Sequence, residues 1–215
     1  MQNNSRRAVR RLLPALAICV VAVLGTLPAS AATPAETYIQ DNVQKGLAIL
    51  NDSSLSADAR RTQFQSFLES LTDFHRIAMF TLGAAAKTAS PVDLDAYVEA
   101  FRSYAAAVYQ QQLAHYSGQT LKVIGSIERA PGDTIVQTQV QQPNGAGPGD
   151  EVDFRVEDQG GKPMVIDASV AGVWLALQER DQFTAFLAQH NNDVRALAAD
   201  LTQRAANIRA IGTQP

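Results

Sequence analysis

The sequence predicts a single α+β domain in which helices come first, a four-stranded, mostly antiparallel curved sheet follows, and helices close the chain. Apolar residues between positions 33 and 109 recur at the 3.6-residue period of amphipathic helices. From position 119 to 170 they alternate every second residue, as in half-buried strands, and the helical period returns after Gly172. This order of elements within one domain's length is typical of α+β folds.

Four helices are predicted before the sheet, because four apolar periods each follow a residue that can accept hydrogen bonds from the first free amides. These capping residues are Thr33, Ser56, Asp73 and Ser90. The fourth helix is the longest, and we expect it to end at Gly118. It carries an aromatic stripe that on periodicity alone is a core face, formed by Tyr97, Phe101, Tyr104 and Tyr109.

The four predicted strands are joined by short connections at Pro131-Gly132-Asp133, at residues 143–149 and at Gly160-Gly161. Short connections favour an antiparallel meander with one buried face. In the fourth strand, from Met164 to Val170, the alternation that buries Val170 would place Asp167 on the opposite face.

Two helices are predicted after the sheet. Phe183, Phe186 and Leu187 share one face of the first, and Asn192 is the expected cap of the second. We therefore expect one domain over residues 32–211, followed by a loose tail over residues 212–215.

Residues 1–31 have the layout of a removable export signal. Four arginines precede an apolar run from Leu12 to Leu27, and Ala29-Ser30-Ala31 gives a small-residue cleavage pattern. The alternative is a membrane anchor, but the run is shorter than the roughly 20 residues of a spanning helix. Ser5-Arg6-Arg7 leaves the choice between the general and the twin-arginine export route open. We expect cleavage near Ala31 and export.

The charge and cysteine content of the mature chain limit its partners. Without residues 1–31, 14 Lys and Arg face 21 Asp and Glu, so the net charge is −7. Such a surface repels nucleic acid. Cys19 is the only cysteine and lies in the predicted signal, so the mature chain forms no disulfide.

Few side chains point to chemistry. His75, His115 and His190 lack a second His or Cys at metal-ligand spacing, and no G-x-S-x-G elbow is present. Asp167 is the one candidate general base, because a carboxylate in an apolar pocket can take that role. The competing interpretation, which we favour, is that Asp167 hydrogen-bonds to backbone.

Two blocks resemble the MlaC family of bacterial periplasmic phospholipid-binding proteins, also called the toluene-tolerance family. The first is D-F-H-R-I-A-M-F-T-L-G at 73–83, and the second includes V-I-D at 165–167, V-A-G-V at 170–173 and E-R-D-Q-F at 179–183. The residues of the second block also resemble those of HpnM, a relative associated with hopanoid lipids. Where family members often carry a Trp shortly after the Leu-Gly, this chain has Ala84 to Lys87.

The resemblance implies a sheet covered by about six to seven helices, enclosing a hydrophobic cavity for acyl chains. It implies a periplasmic phospholipid carrier that needs no cofactor or metal and is not an enzyme. Its implied partners are an inner-membrane ABC transporter with an MCE-domain protein and an outer-membrane lipoprotein complex. The residues expected to line the cavity are Phe74, Ile77, Phe101, Tyr104, Val108, Val136, Val140, Val152, Phe154, Val156, Val170, Val173 and Phe186.

Three alternatives remain at the level of sequence. A close variant is a carrier of hopanoid or another isoprenoid. The others are a small cone-shaped enzyme with Asp167 as base, and a periplasmic adaptor whose core is filled and binds no ligand.

Overall fold

Six α-helices and a five-stranded antiparallel sheet are present in the computed structural model, which describes residues 31–212 apart from 115, 144 and 146. Before the sheet come α1 (Pro34–Leu50), α2 (Ala57–Ser70), α3 (Phe74–Leu82), a short 3₁₀ helix (Gly83–Lys87) and α4 (Pro91–Ala114). The strands are β1 (Thr120–Ala130), β2 (Asp133–Gln141), β3 (Pro148–Asp158), β4 (Pro163–Val170) and β5 (Val173–Trp174). The chain ends with α5 (Leu175–Gln189) and α6 (Val194–Gly212). The predicted α+β class is confirmed.

The helix starts follow from local chemistry. Thr33 Oγ1 accepts a hydrogen bond from the Glu36 amide at 3.2 Å, and Glu36 Oε2 accepts one from the Thr33 amide at 2.8 Å, which completes a capping box. Asp73 Oδ1 accepts from the Arg76 amide at 3.0 Å and so starts α3. These caps lie where the sequence predicts them.

Two helix boundaries differ from the prediction. The fourth helix ends at Ala114 rather than at Gly118, since the Ser117 amide turns to Gln119 Oε1 at 2.8 Å. The cap of α6 is Asp193, whose Oδ1 accepts from the amides of Arg195 (2.9 Å) and Ala196 (3.1 Å). Asn192 instead has a left-handed backbone, with φ of 58°. The helix reaches Gly212, one residue into the predicted tail, and residues 213–215 lie outside the described part.

The sheet has the strand order β1-β2-β3-β4-β5, so each strand pairs with its neighbours in sequence. Four strands are those predicted, and the two-residue β5 is an addition that pairs Val173 with Val170 and Trp174 with Ser169. One face of the sheet packs against α1, and Ile39 of that helix is buried against Val136. A backbone hydrogen bond also joins β4 to the chain just after α2, because the Val165 amide donates to the Leu71 carbonyl at 2.9 Å.

The apolar interior has two parts. The larger, which we call the helical core, joins α3, α4, α5 and α6 around the fully buried Tyr97 and Phe183. The Tyr97 hydroxyl is satisfied there by Thr81 Oγ1 at 2.8 Å. The smaller, which we call the sheet core, holds Ile39, Val136, Val156 and Val165 between α1 and the sheet.

An ion pair between Arg155 of β3 and Asp133 of β2 makes the free energy of unfolding depend on pH. Arg155 donates to both carboxylate oxygens of Asp133, at 2.9 and 2.8 Å, and thereby lowers the pKa of Asp133 below its ordinary value. Because the folded pKa is the lower one, this stabilisation is complete above the unfolded pKa of about 3.9 and is lost as the pH falls through the folded pKa.

We therefore expect Asp133→Asn to lower the free energy of unfolding by about 1–2 kcal/mol at neutral pH, as for other charge-assisted pairs that are partly exposed. Urea unfolding at pH 7 and at pH 3 measures it, and the difference between variant and wild type should shrink at the lower pH. Glu128→Gln, at an exposed position of β1, is the control. An equal loss at both pH values would contradict the ion-pair explanation.

Candidate functional site

A cavity of about 580 Å³ lies between α1, α2, the end of α4 and the sheet. This volume falls within the roughly 300–1,000 Å³ of small-molecule sites. The helical wall is mainly apolar and consists of Ile39, Asn42, Val43, Gly46, Leu47, Leu50, Phe64, Phe67, Leu68, Leu71, Tyr109, Gln112 and Leu113. The remaining lining residues are Tyr116, Gln119, Thr120, Leu121, Val140, Asp150, Phe154 and Val165.

The contact between α1 and α2 depends on a glycine. A Cβ at Gly46 would lie 3.2 Å from both the Phe64 and the Phe67 ring, closer than side chains normally approach. The missing side chain therefore lets both rings pack against the backbone of α1. The two rings lie 6.1 Å apart and form one wall of the cavity.

The exposure of α2 shows that the space between this helix and the sheet is not filled by side chains. None of the residues of α2 is buried, although Phe64, Phe67 and Leu68 point inwards and line the cavity. An amphipathic helix normally buries its apolar stripe against a packed core. Here the stripe remains half accessible, because the space beside it is empty.

One end of the cavity is polar. Gln119, Thr120 and Asp150 lie there, close to the ends of β1, β2 and β3, together with Tyr116. The buried Tyr116 hydroxyl has no hydrogen-bond partner among the described residues. Within the described part of the lining no Lys, Arg or His occurs, so its one charged group is the Asp150 carboxylate. The described groups of this polar rim can donate and accept hydrogen bonds, and none of them offers an anion a positive charge.

Two of the residues predicted to contact lipid lie in the wall of this cavity, and lipid contact by them stays a prediction. Val140 projects from β2 and Phe154 from β3. Val136 and Val156 lie directly beside them in the sheet core, fully or almost fully buried. Val152 is half-buried on the same face, opposite Thr138.

Five others belong to the helical core. Phe74 and Phe101 are buried in it, with ring centroids 6.5 Å apart, and Ile77, Tyr104 and Phe186 pack against it. These five do not line the cavity described above, and lipid contact by them stays a prediction.

The last three predicted residues lie elsewhere. Val108 of α4 is half-buried, outside both the cavity lining and the helical core. Val170 and Val173 are exposed, by 41% and 48%. The prediction that Val170 is buried was wrong, because it stands at the very end of β4, where the chain turns back into β5.

The first two helices contribute much of the cavity wall, through Gly46, Phe64 and Phe67 among others, although no residue of either helix was predicted to line it. A glycine within the apolar face of one helix, followed by two phenylalanines on the next, was the signal that could have found this wall.

Asp167 has a structural role. Its Oδ1 accepts hydrogen bonds from the amides of Ala168 at 2.8 Å and Ala176 at 2.9 Å. The second bond satisfies a free amide at the start of α5, where Trp174 offers no capping side chain. Burial raises the pKa of Asp167, and these two bonds oppose that rise. The carboxylate is not among the cavity-lining groups, in agreement with the interpretation that it bonds to backbone.

Among the described helices, none combines the length and the hydropathy needed to cross a bilayer. Within the same residues, no group of three or more His, Cys, Asp or Glu side chains is arranged to hold a metal ion. His75 and His190 are exposed, and His115 and the predicted signal up to residue 30 lie outside the described residues.

An α+β scaffold whose cavity is apolar along most of its wall and polar at one end defines a protein that can hold an elongated amphiphile. The family model of the MlaC protein matches residues 40–203, and the chain belongs to the MlaC family. This is a family of lipid-binding carriers rather than of enzymes.

A solved structure shares the fold. It is a phospholipid-binding protein from Ralstonia solanacearum in complex with a phospholipid, with a TM-score of 0.72 and 24% sequence identity. The match covers 82% of this chain and 99% of that one.

Proposed function

We propose that this protein binds phospholipid with the acyl chains in the cavity and carries it through the periplasm between the outer and inner membranes. The observation that carries the proposal is the unfilled apolar space between α1, α2 and the sheet. The family membership and the phospholipid in the similar structure from Ralstonia solanacearum support it. The export signal predicted over residues 1–31 would provide the route to the periplasm.

The energetics fit a carrier. Each methylene group removed from water contributes roughly 0.8 kcal/mol, so a free phospholipid crosses an aqueous compartment only at a prohibitive cost. A wall of aliphatic and aromatic side chains replaces most of the lost bilayer environment. Lipid can then pass in either direction with little change in free energy. The family resemblance adds the proposed partners, an outer-membrane lipoprotein complex and an inner-membrane ABC transporter with its MCE-domain protein.

The lining proposed for the acyl chains is the one that the cavity defines. Val140 and Phe154 belong to it, and we add the walls from α1 and α2, above all Leu47, Phe64 and Phe67. The head group would lie at the polar rim, within reach of the Tyr116 hydroxyl, which has no hydrogen-bond partner among the described residues.

A second candidate is a hopanoid or other isoprenoid ligand. The rim favours it in one respect, since its described amide and hydroxyl groups suit a neutral, hydroxylated lipid and no described cation meets a phosphate. This candidate shares the cavity and differs in the ligand.

Mass spectrometry of lipid extracted from protein purified out of a bacterial periplasm tests the proposal. We expect phospholipid as the main species. Triterpenoid would favour the second candidate. Protein without any lipid would contradict both and would favour the adaptor with a filled core. Reloading delipidated protein with phosphatidylethanolamine or phosphatidylglycerol should give affinities within about threefold, because no cation among the described lining residues distinguishes the anionic head group. A strong preference for phosphatidylglycerol would contradict the proposed position of the head group.

A further inference from the structure

A second cavity, of about 410 Å³, lies where the end of α2 and the start of α3 meet α4 and the turn from β3 into β4. We call it the polar cleft. Seven of its nine described lining residues are polar or charged, and the two apolar ones are Phe74 and Met164. The cavity between α1, α2 and the sheet is mainly apolar instead. The polar cleft therefore suits a ligand of different chemistry.

Three buried side-chain atoms of the polar cleft have no hydrogen-bond partner among the described residues. They are Thr72 Oγ1, Arg102 Nε and Gln159 Nε2. The two nitrogens are donors, and the threonine hydroxyl can donate as well. Glu99 Oε1 lies 3.9 Å from Arg102 Nε, which is beyond hydrogen-bond distance. Because a buried donor without an acceptor is unfavourable, an acceptor bound in the cleft would be stabilised.

The two carboxylates of the polar cleft are already engaged by the protein. Asp73 Oδ1 accepts a hydrogen bond from a backbone amide of α3 at 3.0 Å, and Glu69 Oε2 accepts one from Arg102 Nη1 at 3.5 Å. Lys162, by contrast, is exposed and forms no ion pair within the described part of the chain. The unused hydrogen-bonding capacity of the cleft is therefore mainly that of donors, two of which are cationic.

Local contacts hold these donors in position. Gln159 and Lys162 stand at the two ends of the turn from β3 into β4, and the Gln159 amide closes the turn by donating to the Lys162 carbonyl at 2.9 Å. The Arg102 guanidinium lies 5.8 Å from the centroid of the Phe74 ring, within the range of a cation–π contact. Donors that are ordered before binding lower the entropy cost of holding a ligand.

We propose that the polar cleft binds a phosphate group, separately from the lipid. A phosphate carries acceptor oxygens in several directions, and its hydrogen bonds with Arg and Lys are charge-assisted. The two sites lie on opposite sides of one layer of chain. Leu71 and Val165 line the apolar cavity, whereas their neighbours Thr72 and Met164 line the polar cleft. The inference therefore goes beyond the proposed lipid function and does not depend on it.

The surrounding charge limits the affinity of this site. Two carboxylates share the cleft with Arg102 and Lys162, and the mature chain carries a net charge of −7. Such a surface repels a free anion until it reaches the donors. We therefore expect a Kd on the order of 1 mM for inorganic phosphate, which weakens as salt is added.

A titration of the ¹⁵N-labelled mature protein with inorganic phosphate, followed by NMR at pH 7 and constant ionic strength, tests the proposal. The Arg102 Nε–H signal and the amide signals near Thr72 and Gln159 should shift together and saturate. Arg102→Lys keeps the charge but removes the Nε–H donor, and we expect it to weaken binding by about fivefold or more. Lys162→Gln, at an exposed position, should do the same through its lost charge.

Lys122→Gln is the matched control, because it removes the same charge from an exposed position of β1 outside the described lining of the cleft. It should bind phosphate within about twofold of wild type. Equal weakening by this variant, or shifts that do not saturate, would overturn the proposal, since either result indicates a general ion effect.

The titration is made on delipidated and on phospholipid-loaded protein, which distinguishes the two sources of a phosphate group. Both forms should bind inorganic phosphate. Loss of binding in the loaded form alone would show that a lipid head group occupies the cleft, and it would overturn the separate site. Protein that binds phosphate but no lipid would contradict the proposed function and leave the phosphate site supported.

Discussion

We expect the Leu47→Trp, Leu113→Trp double variant to fold and to purify almost without lipid. The two leucines line the cavity from α1 and from α4, and both are only half-buried. Two indole rings would therefore enter the empty space rather than a packed core. If they exclude even four methylene groups of the ligand, the loss is about 3 kcal/mol, or roughly a hundredfold in affinity.

The control is the Ala48→Trp, Ala96→Trp double variant, which adds the same rings to exposed positions of the same two helices. Lipid phosphorus per mole of protein, measured after purification, compares the two, and circular dichroism shows that both are folded. The control should retain its lipid. Normal lipid content in the cavity variant would place the ligand somewhere other than in this cavity.

The secondary structure was predictable because its determinants are local. The capping box at Thr33 and Glu36 is encoded within four residues, and the two-residue alternation along β2 and β3 is visible in the strands themselves. By contrast, β5 and the start of α5 depend on the left-handed Ala171 and on the bond from the Ala176 amide to Asp167, nine residues away. Such contacts leave no period in the sequence.

The site was only partly predictable because an apolar stripe does not reveal what it faces. Phe101 on α4 meets Phe183 of α5, a residue more than 80 positions later in the chain whose ring centroid lies 6.3 Å away, so that side of α4 is filled. Phe64 and Phe67 meet Gly46 and an open space instead. Sequence periodicity gives both stripes the same appearance, and only the tertiary packing separates core from cavity.

The division into a filled and an unfilled half has a thermodynamic consequence at Phe183. Its side chain is fully buried and makes edge-to-face contacts with Tyr97 and Phe101, at centroid distances of 6.3 Å and angles of 87° and 86°. Phe183 is not among the described residues that line the cavity. Phe183→Ala is therefore expected to lower the free energy of unfolding by about 3–5 kcal/mol, through lost burial and a new void.

Phe80→Ala is the matched control, since Phe80 is 41% exposed and its ring contacts the Arg180 guanidinium at 4.9 Å. It should cost no more than about 1 kcal/mol. Urea unfolding of delipidated protein measures both, so that bound lipid does not add to the stability of either. A cost near 1 kcal/mol for Phe183→Ala would show that the helical core is also loosely packed. A cost of about 3–5 kcal/mol would instead place much of the stability in the helical core, apart from the cavity that the side chains of α1, α2 and the sheet leave open.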